Sequence, residues 1–163
     1  MEQINVVGDF NAALENKFNA DVKNLKKGDV LVASVTSNGG DVEVLKRMTA
    51  TVLALKQKGV KFGTFVPEYA NSAGFFFFLL GDFREMNPTA SVHYHAPRVV
   101  LSPEFVGTKT NLENVLGSVT EYQNFTSGIF KASCNISEEL FSLIENSELP
   151  MNRAHLRSLG IIN

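Results

Sequence analysis

Three short segments of the chain carry groups that could together perform hydrolytic chemistry. The first is the turn Asn38-Gly39-Gly40, the second is Ala70-Asn71-Ser72-Ala73-Gly74, and the third is His93-Tyr94-His95. They supply backbone N–H groups, a hydroxyl and imidazoles, which are the groups that nucleophilic catalysis combines. Each segment also has a simpler structural explanation, so its meaning depends on the elements that position it.

The glycine pair Gly39-Gly40 separates a predicted buried strand from a predicted helix. Adjacent glycines permit unusual backbone angles and let another chain come close, which leaves peptide N–H groups free to bind an anion. The segment is not a phosphate-binding loop, because the Gly-Lys-Ser/Thr ending is missing. An ordinary tight turn is the alternative interpretation.

Ser72 follows a predicted strand and precedes the apolar helix Phe75–Leu80. Its small neighbours permit a sharp turn that exposes the hydroxyl, as in a nucleophile elbow. The next N–H, that of Ala73, lies at a helix N-terminus, where developing negative charge is stabilised. A serine that caps a core helix is the alternative, and Phe75–Phe78 is interpreted as core packing rather than as an aromatic binding platform.

His93 and His95 are two residues apart on a predicted strand and therefore face the same side. One of them could act as the general base for a hydroxyl that the fold brings near, and polar packing is the alternative. No cysteine or carboxylate stands at ligand spacing beside them, so we predict no metal site and no cofactor. His155, on the last predicted helix, is interpreted as a surface residue.

The first hundred residues alternate between short β-branched runs and helical patterns. Strands are predicted at 4–7, 30–35 and 60–66, and apolar spacing predicts helices from Phe10 to Leu25 and from Val42 to Leu55. The strand at 30–35 has apolar residues on both faces, as in a covered parallel sheet. This alternating order predicts an α/β fold.

The second half of the chain is dominated by one long helix. A strand over 90–95 precedes a helix from Lys109 to Ser133, and shorter helices follow at 137–144 and 152–159, the last with Asn152 as N-cap. The long helix would extend for about 37 Å. Since this exceeds what a domain of this size needs, we expect part of it to project and pack on another subunit.

The composition excludes several classes of protein. The 163 residues are 44% hydrophobic, as in one globular domain, and carry a formal charge of -2 without a basic block, so nucleic acid is not an expected partner. The single cysteine, Cys134, fits a reducing compartment. No signal-peptide pattern or membrane-spanning run is found, so a cytoplasmic protein without membrane contact is expected.

In their order, the three segments resemble those of the proteolytic subunit of the Clp protease. That family has Ser-Pro-Gly-Gly, then Ala-Ala-Ser-Met-Gly, then a strand that ends in His-Gln-Pro. This chain has Ser37-Asn38-Gly39-Gly40, then Ala70-Asn71-Ser72-Ala73-Gly74, then His95-Ala96-Pro97. The ending Leu159-Gly160-Ile161-Ile162-Asn163 is similar to the family's Tyr-Gly-Leu-Ile-Asp, and the resemblance runs from about Ile4 to the C-terminus.

The resemblance implies a Clp-peptidase or crotonase-like α/β fold of repeated ββα and βαβ units, in which the long helix is a projecting handle. It implies one domain over 1–163, with a head at about 4–97 and 150–163 and a handle region at about 98–149. It also implies a homo-oligomer of stacked rings, which would cleave short or unfolded peptides inside its chamber as a serine endopeptidase.

The resemblance also assigns roles to individual residues. Ser72 corresponds to the nucleophile and His95 to the general base. The oxyanion hole corresponds to the backbone N–H groups of Gly40 and Ala73. The imidazole would take the hydroxyl proton as Ser72 attacks a peptide carbonyl, and the two N–H groups would stabilise the oxyanion.

The third member of the triad is the least defined part of the resemblance. Aligning Met151-Asn152 with the family's Met-Ser places Glu148 where that family has an aspartate. Glutamate can orient a histidine, as in other Ser-His-Glu hydrolases, although it is one methylene longer. Glu145, Asn146 and the absence of any acid are the other interpretations.

Two departures from the family affect the expected function. The glycine-rich strand after His-Gln-Pro is replaced by Arg98–Pro103, in a segment that borders the peptide cleft and aligns the two rings of the family. Here we expect Val99–Leu101 and Phe75–Phe78 to give the cleft apolar walls. The chain also begins almost at its first strand, without the segment that meets the ATPase in that family, which argues against an unfoldase partner.

Two other functions are compatible with the sequence. A non-catalytic structural subunit of a Clp-like ring would explain the substituted acid and the altered cleft. A crotonase-type acyl-CoA enzyme would use a similar pair of oxyanion N–H groups. Those enzymes usually act through carboxylates near the second glycine segment, whereas this chain has Ser72 there.

Overall fold

Seven strands form two sheets in the computed structural model, which describes residues 1–163. The strands are β1 (Glu2–Val7), β2 (Val30–Thr36), β3 (Lys61–Val66), β4 (Tyr69–Asn71), β5 (Phe83–Met86), β6 (Ser91–His93) and β7 (Pro150–Asn152). The larger sheet is parallel, with the order β1-β2-β3-β5. In the smaller sheet, of order β4-β6-β7, β4 is parallel to β6 and β7 is antiparallel to it.

Six helices connect or cover these sheets. They are α1 (Ala12–Val22), α2 (Val42–Gln57), α3 (Ala73–Leu79), α4 (Lys109–Ser133), α5 (Glu138–Ser147) and α6 (Arg153–Ser158). The side chains at five of the N-caps accept a backbone N–H, as a cap requires: Asn11, Asp41, Thr108, Ser137 and Asn152. The predicted N-cap Asn152 is therefore confirmed, and exposed His155 completes a capping box by accepting the Asn152 N–H.

The predicted α/β class is confirmed, because α1 and α2 cross between parallel neighbours β1, β2 and β3. Strand β2 differs from the expectation of two buried faces, since its burial alternates between buried and half-buried residues. The strand predicted at 90–95 is only three residues long. Strands β4, β5 and β7 were not predicted, because three or four residues are too few for a periodic pattern.

The phenylalanine run Phe75–Phe78 lies in the centre of the hydrophobic core. All four side chains are at most 2% exposed, so the expected core packing is confirmed and a role as cleft wall is wrong. The ring of Phe77 contacts those of Phe10, Phe18 and Phe62 at centroid distances between 5.5 and 5.9 Å. This helix therefore anchors the elbow at Ser72 to α1 and to the larger sheet.

Replacing Phe77 by alanine is expected to destabilise the fold by about 3–5 kcal/mol, the range for a fully buried aromatic side chain. The lost ring would leave a cavity between α1 and β3, because three other rings surround it. Denaturant unfolding of the two proteins measures the difference. A loss below about 1 kcal/mol would contradict this account of the core.

The long helix α4 has the predicted bounds, Lys109–Ser133. Its buried residues, Thr126, Phe130 and Ser133, all lie in the C-terminal half. In the N-terminal half Leu112 is 50% and Leu116 is 66% exposed. The first turns of the helix therefore expose apolar side chains, and packing of this part on another subunit stays a prediction. No helix of the structure combines the length and apolar character that crossing a membrane requires.

Candidate functional site

The small sheet places the three candidate catalytic residues at one of its edges. Ser72 follows the carboxyl end of β4, and His95 lies two residues after β6, which is parallel to β4. Glu148 precedes β7, whose antiparallel direction brings its amino end to the same edge, with Pro150 opposite His93. The topology thus gathers residues that are far apart in the sequence.

Ser72 has a strained backbone at the turn from β4 into α3. Its φ of 51° and ψ of -122° lie outside the regions that residues with a Cβ normally adopt. Such strain costs about 1–3 kcal/mol and persists only where surrounding contacts impose it. One of these contacts is the Ser72 N–H, which donates to the carbonyl of His93 at 2.9 Å. The Ser72 hydroxyl does not cap α3, so the capping alternative has no support.

The glycine turn and the serine elbow pack directly on each other. A Cβ at Gly39 would lie 2.7 Å from the Ser72 Cβ, and a Cβ at Gly74 would lie 2.9 Å from the Ser37 Cβ. A side chain at either position would collide with a serine of the other motif, so both residues must be glycine. Gly39 of the turn packs on Ser72, and Gly74 of the elbow packs on Ser37. The turn is tightened further by Ser37, whose hydroxyl accepts the Gly39 N–H at 3.0 Å.

Asn38 and Asn71, for which the sequence indicated no role, join the same two motifs. The Asn71 amide donates to the Asn38 side-chain oxygen at 3.1 Å. Ser37 and Ala70 also form a bridge that extends the contact between β2 and β4. Asn38 directly precedes Gly39, and Asn71 directly precedes Ser72. These positions were the only indication in the sequence that the two asparagines could belong to the site. The pair holds the glycine turn against the serine elbow.

Gly40 presents a backbone N–H that makes no hydrogen bond within the chain. Its neighbours are fixed by Phe10, whose N–H donates to the Gly39 carbonyl and whose carbonyl accepts the Asp41 N–H. The φ of 140° at Gly40 and the contact of 2.6 Å that a Cβ would make with Phe10 exclude other residues at this position. The Gly40 N–H is therefore available to a ligand, one residue after the glycine that packs on the Ser72 side chain.

Ala73 supplies the second candidate donor, because it is the first residue of α3. The first N–H groups of a helix have no partner within it. The first turn of α3 closes only at Phe76, whose N–H donates to the Ser72 carbonyl at 3.1 Å. The family resemblance assigns the oxyanion hole to the N–H groups of Gly40 and Ala73. Ala73 directly follows Ser72, and Gly40 follows the glycine that packs on Ser72. The assignment stays a prediction.

The two histidines differ in which ring nitrogen is already bonded. His93 Nε2 bonds the Glu148 carbonyl, and a carbonyl only accepts, so His93 carries its proton on Nε2. His95 Nδ1 donates to the Ala96 carbonyl at 3.0 Å, which leaves its Nε2 unprotonated in the neutral ring. A general base beside a serine needs this second tautomer. Of the two half-buried rings, His95 thus has the arrangement suited to accept a proton.

The Glu148 carboxylate binds Arg98 rather than His95. The two groups form an ion pair with a distance of 2.5 Å between Arg98 Nη2 and Glu148 Oε2. This hydrogen bond holds the pKa of Glu148 below its usual value against the opposing effect of burial, and the charges of His95 and His93 lower the pKa further. Glu148 therefore lies within electrostatic reach of His95, and its role as the triad acid stays a prediction.

The two other candidate acids have different partners. Glu145 accepts hydrogen bonds from the Tyr94 hydroxyl and the Gln123 amide, both at 3.1 Å. Tyr94 is buried, and burial together with the charge of Glu145 raises the pKa of its hydroxyl. Asn146 donates to the Ser142 carbonyl within α5. Glu145 thus joins Tyr94, next to β6, to Gln123 on α4, Asn146 bonds within α5, and neither is bonded to His95.

Replacing Arg98 by glutamine is expected to raise the pKa of Glu148, because the guanidinium is the main cause of its depression. The depressed pKa stabilises the folded state above the ordinary glutamate range, and this contribution is lost as the pH falls through the folded-state pKa. Since both side chains are partly exposed, the effect on stability is small. Carboxyl NMR titration measures the midpoint, and equal midpoints in the two proteins would contradict the assignment.

Ser72 and His95 are both half-buried at this edge. The segment after His95 is exposed and apolar, with Val100 95% and Val106 63% accessible. The sequence matches no protein-family model and has no significant match among curated proteins.

Proposed function

We propose that this protein is a serine endopeptidase of the Clp type, in which Ser72 is the nucleophile and His95 the general base. The strained backbone of Ser72 carries this proposal, because a non-glycine residue with such angles at a strand-to-helix turn is the signature of a nucleophile elbow. The close contact of Gly39 with the Ser72 side chain supports the proposal, since it places the turn that carries the unbonded Gly40 N–H next to the Ser72 side chain.

In this mechanism His95 Nε2 takes the Ser72 proton as the hydroxyl oxygen attacks a peptide carbonyl. The N–H groups of Gly40 and Ala73 stabilise the negative charge on the carbonyl oxygen. The imidazolium then protonates the leaving amine, the C–N bond breaks and an acyl-enzyme remains. Water, deprotonated by His95, attacks the ester carbonyl, and its proton returns to Ser72 when the acid product leaves.

The Ala96 carbonyl supports the base by accepting the His95 Nδ1–H. It fixes the tautomer that a triad carboxylate would fix, although a neutral carbonyl stabilises the imidazolium less than a carboxylate does. Loss of a triad aspartate lowers kcat by about 10⁴-fold. We therefore expect slow turnover unless Glu148 moves from Arg98 to His95 when substrate binds.

The proposed chamber requires assembly into rings. Leu112 and Leu116 on α4 and the apolar segment 99–106 are uncovered in the single chain. Burying such surface between identical subunits stabilises a closed, symmetric assembly. Light scattering at micromolar concentration is expected to give a mass many times the 17.9 kDa of the chain. A monomer under these conditions would contradict the chamber.

A fluorogenic peptide library tests the proposed activity. Short peptides with an apolar residue before the scissile bond are expected to be cleaved without ATP, unfolded casein more slowly, and a folded protein such as green fluorescent protein not at all. This order of cleavage rates follows from the proposed chamber, because its openings admit short peptides and exclude folded domains. If no peptide in the library is cleaved while the protein is assembled, the endopeptidase proposal is wrong.

The ion pair between Arg98 and Glu148 favours a second candidate, a non-catalytic subunit of a Clp-like ring. It holds a carboxylate away from His95, as expected if the triad has been lost. Such a subunit would still require the exposed apolar surface of α4. Assembly without any reaction at Ser72 would favour this candidate over the peptidase.

A further inference from the structure

A cavity of about 610 Å³ lies between α2, α3 and α4, and none of its lining residues belongs to the candidate catalytic site. Its volume is in the range of about 300–1,000 Å³ that small-molecule sites occupy. The cavity is separate from the groove between α5 and α6, which is lined by other residues. Three observations indicate the chemistry that it would bind.

The charged lining of this cavity is wholly positive. Lys56 and Arg84 line it, and no aspartate or glutamate does. Lys56 is neutralised by Asp82, to which its Nζ is 2.6 Å distant. Arg84 has no carboxylate within ion-pair distance. Its Nε donates to the Ile161 carbonyl at 2.8 Å and its Nη1 to the Leu79 carbonyl at 3.0 Å, while Nη2 has no partner.

Arg84 is a half-buried guanidinium without a carboxylate in direct contact, and burial of a charge without such a partner is unfavourable. Burial lowers the pKa of Arg84, and the charge of Asp82, which is bound to Lys56, opposes this effect from a distance. The two carbonyls fix the plane of the guanidinium and leave Nη2 free to donate. An anion bound in the cavity would supply a direct ion-pair partner.

The Thr49 hydroxyl is a second unsatisfied polar group in the same cavity. Thr49 is 6% exposed, and its Oγ1 is buried without a hydrogen-bond partner. Most buried hydroxyls in proteins are hydrogen-bonded, because an unpaired one destabilises the fold. Thr49 sits on the inner face of α2 among the cavity-lining residues. The hydroxyl is closed to solvent, so a ligand oxygen would bond it by inserting between the side chains that cover it.

The rest of the lining accommodates hydrocarbon. Leu53, Leu79, Phe125 and Ile129 contribute apolar side chains, and Leu53 is 50% exposed although it faces this cavity. Gly128 leaves additional space, since a Cβ built there would meet nothing within 4 Å. The cavity therefore combines an apolar lining with an unpaired cation and an unpaired hydroxyl.

We propose that the cavity between α2, α3 and α4 binds a carboxylate attached to an apolar chain, with Arg84 and Thr49 as donors to the carboxylate and the leucine and aromatic side chains around the chain. A fatty acid and the C-terminus of an apolar peptide share this chemistry. The proposal is independent of the peptidase function, because no residue of it belongs to the catalytic site.

Titration of the wild-type protein, followed by amide NMR shifts or calorimetry, tests the proposal. The probes are decanoate, 1-decanol, and a short leucine-rich peptide with either a free or an amidated C-terminus. Decanoate or the free-acid peptide is expected to saturate the protein, with amide shifts at Thr49 and Arg84. The probe that binds more tightly shows whether the ligand is a fatty acid or the C-terminus of an apolar peptide. The matched neutral probe is expected to bind at least about 10-fold more weakly, as loss of a charge-assisted hydrogen bond implies.

Two variants make the test specific. Gly128→Leu is expected to block the cavity and abolish binding while preserving the fold, because its side chain enters open space and leucine favours the helix. Thr49→Val retains the shape and is expected to weaken carboxylate binding several-fold without affecting decanol. Equal binding of the charged and neutral probes, unchanged binding in Gly128→Leu, or no saturation by either carboxylate at millimolar concentration would overturn the proposal.

Discussion

Replacement of Ser72 by alanine is expected to abolish peptide hydrolysis. The loss in kcat is about 10²-fold if Glu148 stays bound to Arg98 and about 10⁶-fold if it moves to His95 when substrate binds, because the members of a triad act as a unit. The elbow places the hydroxyl beside the glycine turn, and Ala73 and Gly40 provide no alternative nucleophile. Initial rates on the best peptide of the library measure the effect. Binding of the peptide should change little, because the substitution removes only one oxygen atom.

Ser91→Ala is the matched control for this variant. Ser91 is also a half-buried serine in the small sheet, but it begins β6 and has no positive φ. Full activity of Ser91→Ala together with loss of activity in Ser72→Ala is the expected pair of results. Hydrolysis that persists in Ser72→Ala would contradict the mechanism, and equal loss in both variants would indicate damage to the sheet.

Replacement of His95 by alanine is expected to lower kcat by the same factor as Ser72→Ala, because the nucleophile then has no base. His93→Ala is the control, since its Nε2 is already bound to the Glu148 carbonyl and it cannot accept a proton there. We expect that variant to retain most of its activity. The reverse order of activities would assign the base to His93.

The α/β class and the long helix were predictable from the sequence because their signals are periodic over many residues. The helix Lys109–Ser133 has 25 residues, and its predicted bounds are those observed. The three-residue strands β4 and β7 were not predictable, since their pairing with β6 is a long-range contact that leaves no local pattern. The small sheet that carries the candidate site is built from these short strands.

The motifs of the candidate site were predictable from the sequence, but the contacts between their residues were not. The sequence indicated an elbow at Ser72 and a glycine turn, and the structure adds that Gly39 contacts the serine. The partner of Glu148 could not be predicted, because Arg98 lies 50 residues away and meets it only through β6 and β7. The bond from His95 to the Ala96 carbonyl depends on the local backbone, which no residue type specifies.

Covalent labelling with a fluorophosphonate probe tests the central claim most directly, because the probe reacts with an activated serine whatever the natural substrate is. Trypsin releases residues 62–84 as one peptide, in which Ser72 is the only serine. We predict that mass spectrometry of the labelled protein places the adduct on this peptide at Ser72, and that His95→Ala abolishes it while His93→Ala does not. An assembled protein that remains unlabelled, or an adduct at any other residue, would contradict the claim that Ser72 is a catalytic nucleophile.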